Sequence, residues 1–298
     1  MGKKLIDRWE NEWLNEGNII RESLLNDEET EFVKLDLRGF KISKSVNLAP
    51  YIKGKKFSET DFSYADFSRC RFEKCRFEKC TFCYTNLINI IEQECEFVDC
   101  DFYKGRIKGF IGEWGSLYKG VIFEGVNLNG RLMHYPDFQD SEFKNCNLKK
   151  ADFGGAVIEN VKFKGVVTDT WFRGKYRISG VVPPPQINYK RLSKVNPMNA
   201  DFSEAIISYT LFTNGCDLSN VIMPNDGNHY LINNIKKVKE FTDRFCANLS
   251  DEEKDFFSII QDVFLFQREG EKVKILNRID WYNSMTKSEN LRKKAFII

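Results

Sequence analysis

The chain has only two histidines and seven prolines in 298 residues, and no apolar run long enough to cross a bilayer. With His134 and His229 each standing alone, outside any catalytic motif, imidazole-based acid–base chemistry has little to build on. No phosphate-cradling glycine loop, dinucleotide fingerprint or nucleophile elbow is present. An excess of either charge is missing too. The 45 Lys+Arg against 43 Asp+Glu leave a formal net charge of +2, so the field of the whole molecule neither steers towards polyanions nor imitates one. The opening residues MGKKLIDRWE place charges where a secretion signal needs an apolar core, and Ile6 stands where a myristoylation site needs Ser or Thr. A cytoplasmic protein without membrane attachment is expected.

What the chain does have is a period of five. Phe57, Phe62, Phe67, Phe72, Phe77, Phe82 and Leu87 follow one another without a slip, and Phe97, Phe102 and Ile107 resume the register. A longer run goes from Phe123 through Phe138, Phe143 and Phe153 to Phe163, and a shorter one has Phe202, Ile207 and Phe212, then Leu218 and Met223 after one extra residue. In an α-helix five residues turn the chain by about 140°, which makes no apolar stripe. In a flat strand an odd spacing throws successive rings onto opposite faces. The pattern therefore requires a chain that turns a corner at every repeat and keeps the large residue pointing to one axis.

Two residues before each large one stands a small or slim one, as in Thr60, Ala65, Cys70, Cys75, Cys80 and Thr85, and later Cys146, Ala151 and Ala156. Large and small side chains alternating inwards can fill a narrow bore at the density of a protein interior. Cys70, Cys75, Cys80, Cys95, Cys100 and Cys146 share this phase and are expected to be reduced packing residues, not metal ligands or a disulfide framework. Cys83 directly follows Phe82 and should face outwards. Arg71, Lys74, Arg76 and Lys79 alternate with Glu73 and Glu78, which reads as a self-neutralising solvated face.

The segments Ala65-Asp66-Phe67-Ser68, Ala151-Asp152-Phe153-Gly154 and Ala200-Asp201-Phe202-Ser203, with looser copies from about 32 to about 225, resemble the pentapeptide-repeat family. That family's unit is Ala, then Asp or Asn, then Leu or Phe, then two variable residues. The resemblance implies a mainly β fold, a right-handed quadrilateral β-helix with four repeats, about twenty residues, per coil.

Residues 1–30 are read as an N-terminal helical cap, since Leu5, Ile6, Trp9, Trp13, Ile20 and Leu24 recur at three- and four-residue spacing. Residues 31–228 form the solenoid. Within it, 88–96 and 108–120 disturb the register and are expected to be loops or bulged corners, and 164–199, with Pro183-Pro184-Pro185, should protrude as a long loop. Residues 229–298 are read as a C-terminal helical domain, with Ile232, Ile235, Val238, Phe241 and Phe245 in one stripe and Ser250-Asp251-Glu252-Glu253 as a capping box.

These readings favour a non-catalytic protein-interaction scaffold without catalytic residues, cofactor or metal, acting through its solenoid, its loop and its C-terminus on a protein partner. The candidate partner-binding residues are Trp171, Phe172 and Tyr176 in the loop and Phe256, Phe257, Phe264 and Phe266 in the C-terminal segment. Apolar residues there crowd more than one helical face, so a homodimer through the C-terminal helices is expected. The family resemblance implies an alternative, a DNA mimic that binds a type II topoisomerase such as gyrase and confers resistance or inhibition. That mimicry needs an acidic rod, and residues 51–225 hold 24 Lys+Arg against 21 Asp+Glu. A second alternative from the same resemblance is an effector or defence-related protein, with export from the cell. Direct nucleic-acid binding is not expected.

Overall fold

The computed structural model describes residues 2–11, 13–42, 49–112, 115–174 and 198–232, and further on 237, 240, 243–244, 246–247, 249–251, 254, 274–277 and 280. From Glu31 onward the chain winds as a four-walled parallel β-solenoid. One wall stacks eight strands, in order Tyr51–Lys53, Arg71–Glu73, Asn86–Gln93, Arg106–Ile111, Leu132–His134, Asp152–Gly154, Trp171–Arg173 and Leu211–Thr213. Another runs from Glu31–Val33 through Lys56–Ser58, Arg76–Glu78, Glu96–Val98, Leu117–Lys119 and Asp137–Gln139 to Val157–Thr168.

Neighbouring coils are in register, so like positions stack: Phe57 on Phe77, and Phe77 on Phe97. Down the next wall Phe62, Phe82, Phe102, Phe123 and Phe143 lie near-parallel, with successive ring centroids 4.8, 4.5, 5.0 and 4.8 Å apart. That separation matches the spacing of hydrogen-bonded strands, so the ring stack and the backbone ladder are one repeat. Rings of adjacent walls meet edge to face, as Phe138 and Phe143 do at 5.2 Å. Phe72, Phe77, Phe143 and Phe153 are all buried, as their unbroken phase requires.

The corners explain the small residue. Two positions after the ring the backbone turns left-handed: Glu59, Tyr64, Arg69, Lys74, Lys79 and Tyr84 have φ between 50° and 64°. A non-glycine residue there costs about 1–2 kcal/mol, and the ladder offsets it, Glu59 N–H donating to Glu78 O at 2.9 Å and Tyr64 N–H to Cys83 O at 2.8 Å. The next residue turns inwards into a space with room for little more than a methyl or thiol. Where it carries a donor, that donor reaches a carbonyl one coil below. The Thr85 hydroxyl donates to Phe62 O at 2.8 Å, Ser141 to Tyr118 O at 3.0 Å, and the Cys80 and Cys146 thiols to Phe57 O and Phe123 O. The slot selects small side chains by volume and gives Cys, Ser and Thr a hydrogen bond in addition. All nine cysteines are free, and Cys83 is half-buried where the six in-phase ones are buried. Burial pushes the Cys70 thiol up and Cys146 up to about 12, which keeps both protonated at neutral pH.

Of the two stretches expected to be loops or bulged corners, the described parts run as strands, with a bulge at the first. Asn86–Gln93 and Arg106–Ile111 pair with a register shift between Ile88 and Ile90, which lets the chain round a corner without leaving the ladder. Their buried residues are Leu87, Ile90 and Glu92, then Ile107 and Ile111, and the four-residue step with an acidic member conceals the period. Residues 164–174 likewise belong to the walls. Val157–Thr168 and Trp171–Arg173 are strands, with Val167 and Phe172 buried four and then nine residues after Phe163. The remainder of that expected loop, 175–197, lies outside the described residues, and the chain re-enters at Met198–Asp201 against Val157–Thr168.

Both ends are tied down by polar side chains. At the N-terminus stand two helices, Gly2–Glu10 and Leu14–Leu25, in place of one. Trp9 is buried edge-on to Phe40 at 5.1 Å and donates from Nε1 to Arg38 O at 2.9 Å, while Arg8 pairs with Asp36 at 2.9 Å. Lys55 occupies a corner slot that Cys75 and Cys95 fill in later coils. It is fully buried, and its Nζ donates to Asn26 Oδ1 at 2.6 Å and to Glu28 O, tying the linker after the helices to the second coil. At the C-terminus His229–Ile232 pairs antiparallel with Lys274–Asn277. Ile232, expected to open a helical stripe, is thus in a strand, because its partner lies too far along the chain for local periodicity to reveal. Among the described residues no helix is long and apolar enough to cross a membrane.

Candidate interaction surface

Because the large inward side chains are occupied in packing, recognition rests on the outward positions. The coil repeat lines these up in files. Arg76 meets Glu78 at 3.1 Å and Glu96 in the next coil, and Lys53 and Arg71 flank Glu73 at 3.8 and 3.2 Å. Such exposed pairs stabilise by less than about 1 kcal/mol each, and their consequence is that this part of the rod presents no net charge. The acids Asp99, Asp101, Glu124, Asp137, Asp140 and Glu142 are divided between two walls, Asp137 standing in the file of Arg76 and Glu96 and Asp101, Glu124 and Glu142 on the next wall, where Glu124 is paired with Lys144 at 3.1 Å and Glu142 with Lys164 at 3.4 Å. The acids of that wall are therefore interrupted by lysines.

Of the ring residues singled out from the sequence, Trp171 is half-buried on the outer side of its wall, in register with Asp152 below and Leu211 above. Phe172 points the other way. It is 1% exposed and stacked between Phe153 at 4.7 Å and Phe212 at 5.1 Å, so it belongs to the core and cannot meet a partner while the coil is intact. Tyr176, Phe256, Phe257, Phe264 and Phe266 lie outside the described residues.

Two polar constellations escaped the sequence reading. The first closes the solenoid. His229 Nδ1 lies 2.9 Å from both oxygens of Asp226, and its Nε2 faces the backbone N–H and C=O of Ile207 at 3.1 and 2.9 Å. Asn277 Nδ2 donates to the same carbonyl, and Asp280 accepts from Tyr209 N–H. A histidine oriented by a carboxylate is the framework of a general base, but here the second nitrogen is held by backbone and the side chain is 1% exposed. The group caps an open strand edge that would otherwise invite pairing with another chain. Nothing local in the sequence marks it, since its members span Asp226 to Asp280.

The second is Glu92, 2% exposed on the wall whose inward positions are otherwise Ile52, Phe72, Ile111, Met133, Phe153, Phe172 and Phe212. Its Oε1 accepts from the Tyr118 hydroxyl and from Gly112 N–H. Burial and the nearby carboxyl hold the Tyr118 hydroxyl well above the ordinary tyrosine pKa. Gly112 has φ +71°, and a Cβ there would come within 2.2 Å of Pro136 Cβ, so only glycine lets the backbone approach. An axial cavity of about 20 Å³ borders the carboxyl, room for about one water. The sequence did hold a signal: Glu92 stands five residues from both Leu87 and Phe97. Among the described residues no three His, Cys, Asp or Glu side chains are grouped to hold a metal ion.

The family description "Pentapeptide repeats" matches residues 60–91 and 134–166 in eight copies. Among solved structures, full-length QnrB1, a plasmid-mediated fluoroquinolone resistance protein, is 14% identical, with 73% of this chain and 99% of that chain covered and a TM-score of 0.28. HetL, a pentapeptide-repeat protein involved in heterocyst differentiation regulation from the cyanobacterium Nostoc, is 12% identical, with 70% and 97% covered and a TM-score of 0.32. No curated protein matches in sequence. The five-residue ring register, the small corner residue beside it and the matched segments together identify pentapeptide repeats in this chain.

Proposed function

We propose that the chain is a non-catalytic protein-interaction scaffold whose binding surface is the outward side of a stiff rod. The observation that carries this reading is the continuous eight-strand wall, which holds two outward side chains per coil at fixed intervals over about 34 Å. Side chains already ordered by a backbone ladder and a ring stack lose little freedom on meeting a partner. Trp171, Tyr176 and the C-terminal rings Phe256, Phe257, Phe264 and Phe266 are the proposed contacts, with Phe172 removed from that set by its burial. The reading takes 1–30 as the cap, 31–228 as the solenoid and 229–298 as a C-terminal domain that joins two copies in the cytoplasm.

Affinity capture with cross-linking from the native cell tests it. A stoichiometric protein partner recovered with the full chain and lost with Trp171→Ala or with Phe256→Ala/Phe264→Ala supports the scaffold. Recovery of no partner sinks it, and a full chain that sediments as a monomer across micromolar concentrations sinks the dimer.

A further inference from the structure

The wall whose inward residues are Ile107, Leu128 and Leu148 differs from the others in charge. Over these three coils its outward and corner positions include Arg106, Asn127, Arg131, Asn147, Lys149 and Lys150, and no Asp or Glu occurs at 102–112, 125–136 or 143–151. Asn127 bridges to Asn147 in the coil above, and the Oδ1 of each accepts from a main-chain N–H two residues on, at 3.1 and 3.3 Å. Each amide NH2 is left without a partner among the described residues. Of the acids that border the patch, Glu124 is engaged by Lys144 and Asp152 by Arg173 at 2.8 Å, and Asp169 stands at the corner above Lys150. Arg106, Arg131, Lys149 and Lys150, by contrast, enter no ion pair among the described residues. The Nε of Arg131 is buried with no acceptor, and burial lowers its pKa, the condition of a guanidinium that has lost water and gained no anion.

We propose that this patch receives a cluster of carboxylates on the surface of a protein partner, which specifies the partner's chemistry for the scaffold function above and rests on it. Four cations that enter no ion pair among the described residues and two amide donors on a rigid wall form an anion-binding face whose donors need no rearrangement. Its extent decides between anions. Three coils span about 10 Å, and the wall carries Asp66 below the patch and Asp169 at the corner above Lys150, whose N–H donates to Asp169 O at 2.7 Å. A continuous phosphate backbone following the rod would meet both acids, and none of the six patch residues is a ring on which a base could stack. A compact acidic cluster fits within these bounds.

Fluorescein-labelled octaglutamate, titrated with the full chain at low and at raised salt, tests the patch. Binding should weaken with salt and fall by about tenfold or more in Arg131→Glu/Lys149→Glu/Lys150→Glu. The same charge change on another wall, Lys56→Glu/Lys79→Glu/Lys119→Glu, should change it by less than about twofold. The milder Arg131→Gln/Lys149→Gln/Lys150→Gln set, with thermal melts of all variants, covers the case in which charge reversal unfolds the coil. No binding at low salt, equal weakening by both reversals, or tighter binding of a short DNA duplex than of octaglutamate would overturn the proposal. Used as bait, a patch variant that still captures the full chain's partner refutes the patch and leaves the scaffold standing, whereas a full chain that captures nothing refutes the scaffold itself.

Discussion

Phe143→Ala tests whether the ring stack holds the rod together. Phe143 is 2% exposed, stacked between Phe123 at 4.8 Å and Phe163 at 5.1 Å, and meets Phe138 and Phe153 edge-on at 5.2 and 5.7 Å. Truncating a buried phenylalanine to alanine costs about 3–5 kcal/mol, and the figure depends on how far the surroundings can close over the hole. Here they cannot close far, because the coils above and below are held at strand spacing by their own hydrogen bonds, so a cost of about 4–5 kcal/mol is expected. Phe212→Ala is the internal control. That ring is 8% exposed and contacts Phe172 and Phe202 with, among the described residues, no further stacked ring beyond it, so its loss should cost about 3 kcal/mol or less. Urea unfolding followed by circular dichroism gives both values, and an unchanged slope with denaturant shows that the same unit unfolds. A cost below about 2 kcal/mol for Phe143→Ala, or a larger cost for Phe212→Ala, would refute the reasoning.

Thr85→Val keeps the volume of the corner slot but removes the donor to Phe62 O, which retains Ala65 N–H at 3.0 Å; a loss of about 1 kcal/mol is expected, and unchanged stability would show that volume alone selects the slot. Glu92→Leu should destabilise by about 2–4 kcal/mol despite its apolar surroundings, because the Tyr118 hydroxyl and Gly112 N–H lose their acceptor, while Glu92→Gln should cost less; a leucine variant more stable than wild type in urea refutes this. Hydrogen bonds from Arg38, and secondarily from Arg8, outweigh burial and hold the Asp36 carboxyl well below the usual carboxylate range. Its contribution is therefore complete at neutral pH, begins to fade below the unfolded value of about 4, and is lost as the pH falls towards the folded value. Fluorescence of Trp9 and Trp13 should report loosening of the N-terminal cap over that acid range, and Asp36→Asn should abolish the pH dependence; a wild-type signal flat down to about pH 2 contradicts the assignment. With Lys144 and Lys164 interrupting the acids of their wall, the purified chain should not inhibit supercoiling by DNA gyrase at about 1–10 µM, and potent inhibition would restore the DNA-mimic reading.

The period of five by itself determined that Phe77, Phe143 and Phe153 share one axis, because neither a helix nor a flat strand can bring every fifth side chain to one side. It also determined that Cys70 and Cys80 are packing residues, since they stand in the phase that Ala65 and Thr85 occupy. Where the step shortened to four, as from Ile107 to Ile111 and from Phe163 to Val167, the same reasoning saw a loop or bulged corner at the first and a loop at the second where the ladder continues, because hydrogen bonds to the adjacent coil tolerate a bulge that a strict count does not. Glu92 looked like an interruption because its partners come from the next coil, and Phe172 looked like a loop ring because nothing nearby shows that Phe153 and Phe212 enclose it. Which wall a residue joins was beyond the sequence altogether. Ile107 and Leu128 are separated by 21 residues and Leu148 and Val167 by 19, so a side chain's azimuth depends on the accumulated length of every coil before it. Only the tertiary structure decided that Arg106, Arg131, Lys149 and Lys150 gather on one face while Glu124 and Asp152 are paired elsewhere, and that His229 and Asn277, 48 residues apart, meet over the backbone of Ile207.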